Sequence, residues 1–208
     1  MPDQELENIA RKIWAKHRLA LDTLFDYYPD LQGEAMEILF EGRDELAVFL
    51  SKKTGFDIVC DSSNHKHIRF AVKNWDDLGG MLSGDDNWLD SNRLVAIELI
   101  NWGPGKIRMS FVVGPGDQEV RRSIYDTVLE KIEKGKIKIG RRTPIENTSH
   151  KHLSASYLLD KTQHQEAEQD ETSAEKLAKE IQDKASDFLE RHLKLYDKII
   201  RSSLRDQL

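Results

Sequence analysis

The stretch RLVAIELINWGPGKIRMSFVV, residues 93–113, decides the fold. Arg93–Trp102 is a strongly apolar run, Gly103-Pro104-Gly105 turns the chain, and Lys106–Val113 returns. On the return, Ile107, Met109, Phe111 and Val113 recur at every second residue, the period of a strand that buries one face. An apolar run, a glycine-proline turn and an alternating run together predict a β-hairpin. Gly114-Pro115-Gly116 then stops the sheet, and Asp117 stands where a helix cap belongs. The helix expected over residues 117–134 carries Val120, Ile124, Val128 and Ile132 on one stripe. A helix laid back over a hairpin is an ordinary α+β layer.

Upstream, Phe56–Cys60 reads as a strand, and in His67–Lys73 the residues Ile68, Phe70 and Val72 alternate with polar neighbours. Between that strand and the hairpin, residues 74–92 form an acidic stretch with little period, expected to be an irregular loop. Nearer the amino terminus the period becomes helical. One helix is expected over residues 3–28, capped by Asp3 and ended by Pro29, with Leu6, Ile9, Ile13 and Leu24 on its stripe. A second is expected from about Leu31 to Lys52, with Gly42 weakening its middle as a point where it can split, and closed by Gly55. Downstream, Lys136–Ile139 reads as a short strand and Leu153–Leu159 as a further strand candidate. Residues 160–173 are polar and read as a mobile linker. A final helix over about Thr172–Ser203 has Leu177, Ile181, Phe188, Leu195 and Ile199 as its seam.

The predicted architecture is therefore α+β, with a central, mostly antiparallel sheet. Its strands lie near residues 56–60, 67–73, 93–102, 106–113 and 136–139. An N-terminal helical pair fills residues 1–55, the sheet core spans 56–159, the linker spans 160–173 and a long helix fills 174–208.

Composition narrows the function classes. Hydrophobic residues are 38% and charged residues 33%, so much of the chain must be solvated surface. The lone cysteine, Cys60, excludes a disulfide framework and points to a reducing compartment. The first residues carry neither a basic nor an apolar leader pattern, and no apolar run approaches a membrane span. The expectation is a cytoplasmic protein with no membrane association. Net charge is −6, so nucleic-acid binding requires a local reversal of sign.

Such a reversal occurs between Lys134 and His152. Lys134, Lys136, Lys138, Arg141, Arg142 and Lys151 stand there against the single acid Glu146. Arg121 and Arg122 extend the patch from the preceding helix. A basic segment of this kind tracks a phosphate backbone by charge; a solvated strand edge guarded by lysines is the plainer alternative. His-Lys-His occurs twice, at His65/His67 and His150/His152. On a strand, residues i and i+2 point the same way, so each pair is a candidate for two imidazoles on one ion. Nothing in the spacing brings the pairs together, and surface histidines are the commoner case. The aspartates Asp76, Asp77, Asp85, Asp86 and Asp90 do not have calcium-loop spacing. Trp75, Trp88 and Trp102 cluster near the sheet, where packing and base stacking are both open to them. The glycine-proline turns match no phosphate-binding loop, and no nucleophile elbow is present.

The segment Asp3–Asp30, the run from Asn87-Trp88 through Arg93–Val113, and Gly114-Pro115-Gly116-Asp117 with Arg121 are together similar to one known group. They resemble the part that follows the nuclease core in bacterial PD-(D/E)XK nuclease superfamily proteins, some of them linked to phage defence. That chemistry needs an aspartate and an acid-x-lysine triplet holding a divalent metal. Here Glu98 lies on a strand, but the third position is Ile100, and Glu130-Lys131-Ile132 and Glu133-Lys134-Gly135 lack the spacing. No catalytic residue carries over, and no cofactor is expected; magnesium or manganese would enter only with a nuclease. The resemblance implies a non-catalytic accessory domain. Its expected partners are DNA or RNA at the basic segment, and a nuclease core or other protein at the terminal helices, with oligomer formation left open. Two alternatives stand beside it. One is a metal-dependent phosphodiesterase with an irregular site drawn from Asp57, Glu98, His65, His67 and the acidic loop. The other is a protein-interaction module serving as an assembly or inhibitor subunit.

Overall fold

A computed structural model describes residues 2–26, 30–85, 87–133, 144–159 and 173–204. The hairpin expected from residues 93–113 lies at the centre of a five-stranded sheet. Strands β1 (Ile58–Cys60), β2 (His67–Val72), β3 (Val95–Asn101), β4 (Ile107–Val113) and β5 (Lys151–Leu159) pair in chain order, each neighbour antiparallel. The β3–β4 register sets Val95 opposite Val113, Glu98 opposite Ser110 and Asn101 opposite Ile107. Side chains alternate faces along a strand, so Val95, Ile97 and Leu99 join Met109, Phe111 and Val113 on one side. The opposite side receives Ala96, Glu98 and Ile100 from β3 and Arg108, Ser110 and Val112 from β4.

The first of these faces is covered by helices. Besides α1 (Pro2–Asp26), four α-helices are described: α2 (Leu31–Glu41), α3 (Arg43–Thr54), α4 (Gln118–Glu133) and α5 (Ala174–Ser203). Each of the four contributes buried residues to the cluster on that face. The longest, α5, starts at Ser173, whose side chain caps the Lys176 amide. Its apolar seam lies inside the domain: Leu177, Ile181, Phe188, Leu193, Tyr196 and Ile199 are buried. The Tyr196 ring stacks on Phe111 of β4 at 4.1 Å between centroids. These seam residues join the same buried cluster as α2, α3, α4 and the sheet. The far end of α5 is pinned by Asp197, which accepts a 3.0 Å bond from the indole of Trp75.

Several boundaries moved. The helix expected over Leu31–Lys52 is two helices, because Gly42 interrupts it between Glu41 and Arg43. Gly55 does close the second, at φ 76°, donating to the Ser51 carbonyl. Asp117 does cap α4, accepting bonds from the amides of Glu119 and Val120 at 2.9 and 3.0 Å. The fifth strand is Lys151–Leu159, two residues longer at its start than the candidate at Leu153. The strand expected at Lys136–Ile139 and nearly all of the linker expected at 160–173 lie outside the described residues. The helix α1 (Pro2–Asp26) starts before Asp3, so that aspartate is not its cap. Residues 1–30 form one compact unit and residues 31–208 another. Within its unit α1 breaks helical geometry at His17, and Leu6, Ile9 and Ile13 of its stripe are exposed.

One buried polar side chain holds the central turn. Gln32 of α2 is 2% exposed. Its amide nitrogen donates to Asn101 Oδ1 at 2.6 Å and to the Gly103 carbonyl at 2.7 Å. Its amide oxygen accepts from the Gly105 N–H at 2.8 Å. Asn101 Oδ1 and the Gly103 carbonyl each accept from one further backbone N–H, but the buried Gly105 N–H would be stranded by removal of Gln32, a cost of about 1–3 kcal/mol. Urea unfolding of Gln32→Ala should therefore show a loss of about 2 kcal/mol at unchanged slope. Gln32→Glu, which cannot donate, should lose at least as much. A change below about 0.5 kcal/mol, the level of an ordinary surface substitution, would contradict this role.

Candidate functional site

The buried residues of α2 to α5 join the cluster on the first face of the sheet; the second carries the small apolar cluster Trp88, Leu89, Ala96 and Val112, with Ile100 buried beside it. The rest is polar, and pairing places the groups in rows. Arg69 of β2 lies opposite Glu98 of β3, which lies opposite Ser110 of β4. In the next row His67, Ile100, Arg108 and Tyr157 follow one another across four strands. Alternation along each strand, set by the hydrophobic pattern on the other side, dictates both rows.

Glu98 is the centre. Its side chain is 5% exposed, and Oε1 accepts from Arg69 Nε at 2.7 Å while His67 Nδ1 stands 3.8 Å away. Burial alone would raise the carboxyl pKa, but His67 and the Arg69 guanidinium outweigh it, and the group sits below the ordinary carboxylate range. Beside it, His152 lies opposite Val112 on β5. Ser110 Oγ is 3.0 Å from His152 Nδ1, and Arg108 Nη2 is 3.3 Å from Nε2. A neutral ring satisfies both contacts, accepting from Arg108 at Nε2 and donating to Ser110 from Nδ1. Burial, then the Arg108 charge, push the His152 pKa down to about 4.

Aromatic rings bracket this centre, each under a guanidinium. Arg69 lies 4.8 Å from the Trp88 ring centroid and Arg108 lies 5.2 Å from that of Trp102. Trp88 reaches its place because residue 114 is glycine: a Cβ there would sit 2.1 Å from the indole nitrogen. The loop carrying Trp88 is anchored by Arg93, which grips both Asp76 oxygens at 2.7 and 2.6 Å. His150 meets the Trp88 ring edge-on at 4.6 Å. Three buried side-chain atoms of this face have no hydrogen-bond partner: His67 Nδ1, Trp88 Nε1 and Arg108 Nε. Four further buried atoms without a partner lie elsewhere among the described residues, on Arg121, Ser154, Lys184 and Tyr196, so these three make the face a candidate site and no more.

The residues expected from the sequence are dispersed differently. Lys134, Lys136, Lys138, Arg141 and Arg142 lie outside the described residues. Arg121 is no surface cation: it is 2% exposed and donates to the Thr148 and Ser149 carbonyls. Arg122 is paired with Glu146 at 2.8 Å. Lys151 is 5% exposed, its ammonium 4.7 Å over the Tyr125 ring. These three cations serve the join between α4 and β5, where chain reversal leaves carbonyls and a ring to cover.

The histidine pairs also divide. β2 begins at His67, so the strand rule does not reach His65, which bonds Glu37 of α2 and packs on Phe40. His67, His150 and His152, by contrast, gather around Glu98. Asp57 and Asp76 are not with them, and among the described residues no three histidine, cysteine or acidic side chains are placed to hold a metal ion. Cys60 is half-buried; burial raises its pKa, and a contact from Ser63 at 3.6 Å pulls the other way without cancelling it. It is not an activated thiol. No described helix is long and apolar enough to cross a membrane.

The sequence could have pointed to Arg108 and Ser110, the only polar interruptions of an otherwise apolar return strand. Arg69 was visible as the polar phase of β2, but its pairing with Glu98 needs the register. Compared with protein-family models, curated proteins and solved structures, the chain matches none.

The depressed His152 pKa has a sign that can be tested. In the unfolded chain the ring titrates near 6.5 and in the fold near 4, so the unfolded state binds more protons between them. Stability is therefore full above about pH 6.5 and falls as pH drops toward 4. His150 and His192, both lowered, add to the same slope. Chemical denaturation across that window should show His152→Gln with a flatter profile than the parent. Parallel profiles would refute the assignment.

Proposed function

We propose that this chain is a non-catalytic binding domain that engages nucleic acid through the polar face of its sheet. The observation that carries the reading is the pairing of aromatic rings with guanidinium groups around a neutralised carboxylate. Arg69 and Arg108 stand on this side, Lys66 lies 5.9 Å from the Trp102 ring, and Lys106 is bonded through its carbonyl to the Trp102 amide at the hairpin end. The central acid, Glu98, is already held by Arg69. A negatively charged chain thereby presents one locally cationic, ring-bearing surface, which is what a phosphate backbone with bases requires. The likeness of residues 3–134 to the post-nuclease part of PD-(D/E)XK proteins supports an accessory role in a bacterial nuclease or phage-defence protein. The absence of an acid-x-lysine triplet around Glu98 supports binding over cleavage. A protein-interaction role is the second reading, and the exposed Leu6, Ile9 and Ile13 of α1 favour it.

Lys66 and Lys106 are exposed, so reversing them spares the core. The double substitution Lys66→Glu, Lys106→Glu should weaken binding to labelled nucleic acid by about tenfold or more. It should also flatten the slope of log K against log salt by between about 1 and 2, roughly 0.7–0.9 for each phosphate no longer neutralised. Reversing Lys52 and Lys53, exposed on α3, should leave both nearly unchanged. Equal weakening by the two pairs would mean non-specific attraction and contradict the proposal.

A further inference from the structure

We infer that the Trp102–Arg108–Tyr157 end of the polar face is a stacking platform for unpaired bases, so that the ligand is single-stranded nucleic acid. This rests on the reading of that face as a nucleic-acid surface and adds which form of nucleic acid it takes.

The two rings at this end are unlike those in the core. Trp102 is 51% exposed and Tyr157 is 61% exposed, whereas Trp88 at the other end is 3% exposed. Register places both rings on the polar face. Tyr157 lies directly opposite Arg108, and Trp102 continues the β3 phase of Ala96, Glu98 and Ile100. The Trp102 amide bonds the Lys106 carbonyl at 2.9 Å, so the ladder holds that phase past the end of β3. The rings thus come from the strands on either side of β4, about 10 Å apart across the sheet by two inter-strand spacings and offset by two residues along it. Lys66 adds a second cation 5.9 Å from the Trp102 ring.

The geometry selects against a duplex. In a duplex the base faces are stacked on one another, so exposed rings on a flat sheet have nothing to stack on. An unpaired strand offers a base face at every residue, with phosphates on its flank for Arg108, Lys66 and Lys106. The Arg108 guanidinium lies 5.2 Å from the Trp102 ring and directly opposite Tyr157 across the ladder, so a cation stands beside both rings. The hairpin turn beside Trp102 is fixed by Gln32, so the platform is preorganised.

The test is fluorescence anisotropy of the full chain against a labelled oligouridylate of about ten nucleotides, within the site size such surfaces take. A mixed-sequence duplex of equal length and a polyglutamate of matched charge serve as competitors. The expected result is binding to the single strand at least tenfold tighter than to the duplex. Trp102→Ala and Tyr157→Ala should each weaken it about tenfold, and Trp102→Phe should restore most of the affinity. Both sites are exposed, and unchanged circular dichroism confirms that the variants fold. Duplex binding as tight as the single strand, or ring variants that bind as the parent does, overturns this inference. If Lys66→Glu, Lys106→Glu still weakens binding in that case, the broader reading survives. Binding to neither nucleic acid overturns both. Polyglutamate competing as well as oligouridylate makes the face an acidic-protein site and also overturns both.

Discussion

The pairing of β3 with β4 is the constraint on which everything else depends. A shift of one residue would exchange its two faces. In the observed register Phe111 meets Tyr196 and Phe188 of α5, while Glu98, Arg108 and Ser110 face the other way. The apolar side recruits the helices, and it thereby fixes where every polar side chain on the far side must stand. Gln32 ties the first of those helices back to the hairpin turn, so that core packing and turn geometry are one problem.

The polar face carries a cost that packing offsets. A carboxylate as buried as Glu98 is tolerable only because Arg69 is bonded to it, and removing one partner of such a pair typically costs about 3–5 kcal/mol. Ser110 is fully buried and joined to a neutral His152. These groups do not strengthen the core, which would be simpler with leucines. They hold two guanidinium groups over two indoles, and they leave donor atoms without partners. Stability is given up to hold this polar arrangement, which is the cost the proposed binding role would account for.

Much of this fold was legible because hydrophobic periodicity reports burial directly. The hairpin, the strand at His67–Val72, the Asp117 cap and the Gly55 stop all follow from residues within one turn or one strand of each other. What was not legible depends on distant partners. Arg121 read as a surface cation because nothing local shows that the carbonyls of residues 148 and 149 converge on it. The two His-Lys-His pairs looked equivalent, yet the strand starts at the second histidine of one pair and between the two of the other. The polar face was half legible: Arg108 and Ser110 stood out in an apolar strand, but their meeting with Glu98 and His152 is a matter of register across three strands. Of the basic segment, the strongest local signal in the sequence, Lys151 is the one described cation, and it is engaged in structure together with Arg121 and Arg122 of the preceding helix.

Nitrogen–proton correlation NMR of the chain titrated with an unlabelled oligouridylate reads the location of binding directly. The account predicts amide shifts concentrated at His67, Arg69, Trp102, Arg108, His152 and Tyr157, with the indole resonances of Trp88 and Trp102 moving and that of Trp75 still. Shifts confined to α2, α3 and α5, with the sheet's polar face unmoved at saturation, would contradict it.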